Sequence, residues 1–209
     1  MTDPQGSEEF IAEQKMMLKD DDAECANTSY NRGVALMEAG RLDEAIDAFK
    51  DAIEDSARMF EGYVNLGYIY FKQGDLERVV DANKNAVLIE PRYARGYANI
   101  GFAYLQMMKT EEAIEALNKS IELNPEIIQA WSNLINAYIQ NNEIEKAIET
   151  GIKAVEIGPE FALGHNNLAT AYYNNDDYQK AIEHLDTAIE LGFEPHPEFL
   201  KVLEPYRGL

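Results

Sequence analysis

Cations are scarce in this chain. Lys and Arg number 18 against 38 Asp and Glu, a formal net charge of −20 over 209 residues. Such a field repels nucleic-acid phosphates and anionic headgroups, so neither is expected as a partner. The one cysteine, Cys25, excludes an intrachain disulfide, and its neighbours Asp21, Asp22 and Glu24 oppose a thiolate, so an inert thiol is expected. No apolar run is long enough to cross a membrane, and the start, Met-Thr-Asp-Pro-Gln-Gly-Ser-Glu-Glu, has no basic region. A cytoplasmic chain without direct membrane insertion is expected. There is no Gly-rich phosphate loop, no HExxH and no paired metal-ligand cysteines, so no catalytic residue, cofactor or metal is expected. Of the scattered histidines, His165 falls in a packing column, His184 on a helix surface and His196 in a turn. Asp20, Asp21 and Asp22 lack the alternating ligands and the glycine of a calcium loop and read as solvated.

What the chain does have is a period. Asn31, Asn65, Asn99, Asn133 and Asn167 recur every 34 residues, which divides the sequence into units 26–59, 60–93, 94–127, 128–161 and 162–195. In each unit Ser29, Tyr63, Tyr97, Trp131 or His165 opens a first segment. Leu66, Ile100, Leu134 and Leu168 follow three residues later, and Leu36, Tyr70, Tyr104, Tyr138 and Tyr172 four further on, one face of a helix. Gly33, Gly67, Gly101 and Ala169 supply small residues where a second helix can approach. That second helix carries Ala45, Ala113, Ala147 and Ala181, then seven residues on Ala52, Ala86, Ser120, Ala154 and Ala188. Each unit is predicted to be two antiparallel helices.

Gly40, Gly74, Asn142 and Asp176 stand between the helices and tolerate the left-handed backbone in which helices end, a column that Met108 breaks. Pro91, Pro125 and Pro159 force a turn before the next unit. Phe49, Leu117 and Leu185 fill the second helix in alternate units, whereas Asn83 and Gly151 occupy that place in the others. Looser packing, or repacking by neighbours such as Val79, is expected there.

With these residues the chain resembles the tetratricopeptide-repeat (TPR) family over roughly 26–193. Tyr63, Leu66, Gly67, Tyr70, Gly74, Ala86 and Pro91 match the family pattern most fully. The resemblance implies an all-α, right-handed superhelical solenoid of five helix-turn-helix units, whose first helices line a concave groove that binds protein. It places in that groove Asn65, Tyr68 and Phe71; Asn99, Phe102 and Leu105; Asn133, Asn136 and Ile139; and Asn167 and Tyr173. An asparagine amide can pair with the N–H and C=O of an extended peptide without reading its side chains. The same column can instead bond neighbouring helices, and for Asn31 and Asn167 at the ends both readings stand. The family's carboxylate clamp is not expected, because Tyr30 and Val34 stand where it needs lysine and asparagine. Glu38 with Lys72, and Glu61 with Arg95, are spaced for lateral ion pairs.

Flanking the array, 1–25 is an acidic segment with a short amphipathic helix over Ser7–Lys19, which either caps the first unit or binds in trans. The tail 196–209 reads as a capping helix stopped by Pro205, with Phe199, Leu200, Val202 and Leu203 covering the fifth unit. The function expected is a non-enzymatic adaptor that holds an extended protein segment. Two alternatives are a self-assembling scaffold, hence a homo-oligomer, and an accessory subunit of an enzyme complex.

Overall fold

The computed structural model describes residues 24–208 apart from 57. The amphipathic helix expected over Ser7–Lys19 lies outside the described residues. All regular structure among the described residues is helical: α1 (24–38), α2 (Leu42–Asp55), α3 (Phe60–Gln73), α4 (Leu76–Ile89), α5 (Ala94–Gln106), α6 (Thr110–Leu123), α7 (Ile128–Gln140), α8 (Ile144–Ile157), α9 (Ala162–Asn174), α10 (Tyr178–Glu190) and α11 (Pro197–Leu203), then a 3-10 turn Glu204–Tyr206. Contacts group the chain into two compact units, Met1–Glu90 and Pro91–Leu209. In the first, α2 packs on α3 and α3 on α4. In the second, each helix from α5 to α10 packs on the next, and the odd-numbered helices also touch, α5 on α7 and α7 on α9. This is the helix-pair packing of an all-α TPR fold.

Burial explains the columns. Leu66, Ile100, Leu134 and Leu168 are buried, as are Ala45, Ala113, Ala147 and Ala181. The small residues of the first helices are spaces filled from the second. A Cβ built on Gly33 would lie 2.7 Å from the Phe49 ring, and one on Gly101 would lie 2.5 Å from Leu117 Cγ. The looser packing expected at Asn83 and Gly151 is not found. Asn83 is buried, its Nδ2 donates to the Val79 carbonyl at 2.8 Å, and it fills the space beside Gly67, whose Cβ would lie 2.7 Å from that Nδ2. At Gly151 the sizes are exchanged: buried Ile135 stands where the other units have glycine or alanine, and Leu168 of the next unit comes within 2.7 Å of a Cβ built there. Repacking rather than a cavity accounts for both positions.

The turns within the pairs are uniform in backbone even where the residue type is not. Gly40, Gly74, Met108, Asn142 and Asp176 all have φ between 57° and 75°. At each the chain closes with the paired bonds of a Schellman turn, for example Gly74 N–H to Phe71 O at 3.0 Å and Asp75 N–H to Tyr70 O at 2.9 Å. Met108 therefore interrupts the column in type only, and it bears the strain of a left-handed L-residue while standing 71% exposed. Replacing Met108 by glycine is expected to stabilise the protein by about 1 kcal/mol, read as a raised urea midpoint with unchanged slope.

At the C-terminus, α11 has Pro197 in its first turn, and Leu203 is fully buried. Phe199 and Leu200 pack with Tyr173, Tyr178 and Tyr206 on the last helix pair. Val202 was expected in this contact but is 41% exposed, because α11 is only seven residues long and turns that side outward. Two unforeseen residues hold the tail: Tyr206 stacks on Tyr178 with centroids 3.8 Å apart, and Arg207 forms a two-pronged ion pair with Asp186.

Candidate interaction face

On the first helices the residues picked out by spacing divide among exposed, half-buried and buried positions. In the 24–90 unit, α3 carries Asn65, Tyr68 and Phe71 one helical turn apart. Tyr68 is 50% and Phe71 48% exposed, unusual for two adjacent large aromatics. Lys72 makes no ion pair with Glu38 among the described residues; its ammonium lies over the Tyr68 ring, 5.4 Å from the centroid. Asn65 donates from Nδ2 to the Tyr30 hydroxyl at 3.2 Å, tying α3 to α1.

In the 91–208 unit, the contacts of α5 with α7 and of α7 with α9 set three such rows side by side. On α5, Asn99 is exposed and Phe102 half-buried, but Leu105 is buried in the core with Ala113 and Leu117. On α7, Asn133, Asn136 and Ile139 are all half-buried. On α9, Asn167 is only 5% exposed: its Nδ2 donates to Ser132 Oγ at 2.7 Å and its Oδ1 accepts from Asn166 at 3.3 Å. Tyr173 is half-buried, edge-on to Phe199 of α11 with centroids 5.7 Å apart. Leu105 and Asn167 thus belong to the packing, and Tyr173 is partly covered by the cap.

The asparagine column is therefore not uniform in its hydrogen bonding. The residue standing 35 positions earlier differs along it. It is Tyr30 for Asn65 and Ser132 for Asn167, each a hydroxyl that takes the amide's hydrogen bond. It is Ala98 for Asn133, which has no hydrogen-bonding side chain. The spacing of 35 is visible in the sequence itself.

Charge is sorted between the helices of each pair. In the 91–208 unit, α7 and α9 contain no Asp, Glu, Lys or Arg, and α5 contains only Arg95. The second helices are rich in charge; α8 alone has Glu145, Lys146, Glu149, Lys153 and Glu156.

The histidines also depart from expectation. His184 is half-buried, not on the helix surface: its Nδ1 lies 3.1 Å from His165 Nδ1, and its ring stacks on Tyr172. His165 occupies the place of Trp131 one unit earlier. As Trp131 Nε1 donates to the Pro125 carbonyl at 2.8 Å, His165 Nε2 lies 3.1 Å from the Pro159 carbonyl. A carbonyl only accepts, so His165 Nε2 carries a proton, and one of the two facing Nδ1 atoms donates to the other. Burial depresses the His184 pKa and the His165 ring adds to that; Lys180 lowers it further while Glu183 opposes. A group held neutral in the fold binds fewer protons than in the unfolded chain. Its stabilisation is complete above the usual histidine range and is lost as pH falls toward the depressed value. Thermal unfolding between about pH 7.5 and about 5.5 is expected to show the intact protein losing stability relative to His184→Ala, the residue type found at Ala48, Ala82 and Ala116. Parallel profiles would remove the pair from the account.

No helix among the described residues is long and apolar enough to cross a membrane, and no group of three or more metal-ligating side chains occurs among them.

Family models agree with this architecture. Models described as tetratricopeptide repeats match 60–93, 94–127 and 162–192, and a TPR-repeat model matches 33–74 and 136–176. The chain belongs to the tetratricopeptide-repeat family. No curated protein matches it by sequence. Among solved structures, the MamA protein is similar with a TM-score of 0.75 at 24% identity, over 83% of this chain and 99% of that one. YrrB, described as a TPR protein with an unusual peptide-binding site, is similar at 0.72 and 18% identity, over 85% and 90%. The pilF protein of Pseudomonas aeruginosa follows at 0.70 and 18%, over 89% and 87%. At these identities the likeness is one of fold.

Proposed function

We propose that this TPR protein is a non-enzymatic adaptor that holds an extended segment of a protein partner against the open side of its first helices. The observations that carry the reading are, in the 24–90 unit, the exposure of Tyr68 and Phe71 on α3 and, in the 91–208 unit, the half-buried Phe102, Asn133, Asn136 and Ile139 on the adjoining α5 and α7. Rigid aromatic side chains that stay exposed in the folded chain are favoured anchors of interfaces. Amides among them can meet the N–H and C=O of a peptide backbone. The peptide-binding site named for YrrB lends only this much: a fold of this kind can hold a peptide. Each amide contact contributes about 1 kcal/mol, about fivefold in affinity, so the aromatic contacts supply the rest.

Affinity capture from native lysate, comparing the intact protein with a Phe102→Ala, Asn133→Ala, Asn136→Ala variant of matched circular dichroism, tests this. Partners captured by the intact protein should fall at least about tenfold on the variant. Equal recovery of the same proteins would move binding to another face.

A further inference from the structure

A solvent-exposed helix position accepts a charged side chain at almost no cost, and 27% of this chain is charged. Yet of the six exposed positions on α5, α7 and α9, five carry amides, Asn99, Gln106, Gln129, Gln140 and Asn174, and only Arg95 at the start of α5 is charged. Burial does not impose this choice, because these side chains stand in water. Helix formation does not impose it either, since Lys and Glu are helix formers as good as Gln and better than Asn. The second helices of the same unit, exposed on their outer sides, are filled with Glu and Lys. What separates the two sets is the face they line.

We infer that this face selects a partner segment that is itself uncharged, built of amide, hydroxyl and apolar side chains over the stretch lying across α5, α7 and α9. The inference rests on the adaptor reading and specifies the ligand of that same face. A Lys, Arg, Asp or Glu of the partner, drawn against α7 or α9, gives up water and finds no opposite charge there, a loss that the side-chain amides offset only in part. An uncharged segment gives up less and satisfies its backbone and side-chain amides on Asn and Gln. Three helices set about 10 Å apart span about 20 Å, the length of about six extended residues. Arg95, at the α5 end, is the one place on this face where a partner carboxylate meets a cation. A basic segment, drawn by the net charge of −20, is led instead to the glutamate rows of α6 and α8 on the other side.

The test is selection of random dodecapeptides displayed on phage against the intact protein, each clone then being assayed on the Phe102→Ala, Asn133→Ala, Asn136→Ala variant. A second variant, Asn133→Ser with Asn136→Ser, keeps a polar group at both sites and serves where the triple variant loses helix. Clones that lose binding on a variant should share a window of about six residues free of Asp, Glu, Lys and Arg. The corresponding synthetic peptides should change affinity less than about twofold between about 50 and 500 mM salt. Variant-sensitive clones with charged windows and steep salt dependence would overturn the inference while leaving the adaptor reading in place. Clones that bind intact protein and variants alike would overturn both.

Discussion

Gly101→Ala is expected to destabilise the intact protein but to be neutral or stabilising once Leu117 is also alanine. A Cβ on Gly101 would meet Leu117 Cγ at 2.5 Å and Cδ2 at 2.8 Å, contacts that force α5 and α6 apart or push Leu117 off its rotamer. Overpacking of this kind costs about 1–3 kcal/mol. Leu117 is fully buried among Ala98, Ala113, Ala130, Leu134 and Ala137, so Leu117→Ala costs about 2–5 kcal/mol through lost burial and the cavity left behind. In that cavity both Leu117 clashes are gone and only the 3.2 Å approach to the Ala113 carbonyl remains, so the change from Gly to Ala in a helix interior then contributes up to about 0.5–1 kcal/mol of stability. The double-mutant cycle, read by urea unfolding, should therefore show coupling of about 1–3 kcal/mol. Costs that add to within about 0.5 kcal/mol would mean that the space at Gly101 is not held by Leu117.

A second contrast comes from one column of the repeat. Asn167→Ala is expected to cost about 1–3 kcal/mol, because it removes the partner of the buried Ser132 hydroxyl and leaves that group short of a hydrogen bond. Asn133→Ala, at the equivalent place one unit earlier, is expected to change stability by no more than about 0.5 kcal/mol, since Ala98 stands where Ser132 stands for Asn167. On the proposed function the order is expected to reverse for binding, with partner capture falling on Asn133→Ala and not on Asn167→Ala. Ser132→Ala should remove most of the penalty of Asn167→Ala, because two apolar groups then face each other in place of one orphaned hydroxyl. Equal stability costs at 133 and 167 would show that the column has one role throughout.

The helix pairs were legible because a repeat writes each packing position five times, so that an odd residue in one unit stands out against the other four. What escaped the sequence were compensations between columns. Gly151 alone suggests a hole; Gly151 together with Ile135 and Leu168 is an exchange of volumes. Met108 alone suggests a broken turn, whereas the backbone there follows the other four units and the side chain bears the strain. The asparagine column suggested one surface. Asn65 bonds Tyr30 and Asn167 bonds Ser132, whereas Asn133 has Ala98 at that spacing of 35, which crosses from one repeat to the next. His184 seemed a surface residue because its column holds alanines in three other units, and the space it fills is left by His165 being smaller than Trp131. The capping helix was evident from Pro197, but the anchoring role of Arg207 depended on where the chain turns after Glu204, which no repeat encodes.

The division of faces is the centre of this account, and methyl NMR of isoleucine-labelled protein tests it most directly. Ile139 lies on the first-helix face of α7, whereas Ile152, Ile157 and Ile189 are exposed on α8 and α10. On titration with a segment of the captured partner, the Ile139 methyl should shift while those of Ile152, Ile157 and Ile189 stay in place. Shifts at Ile152, Ile157 and Ile189 with Ile139 unmoved would put the partner on the charged second helices and contradict the account.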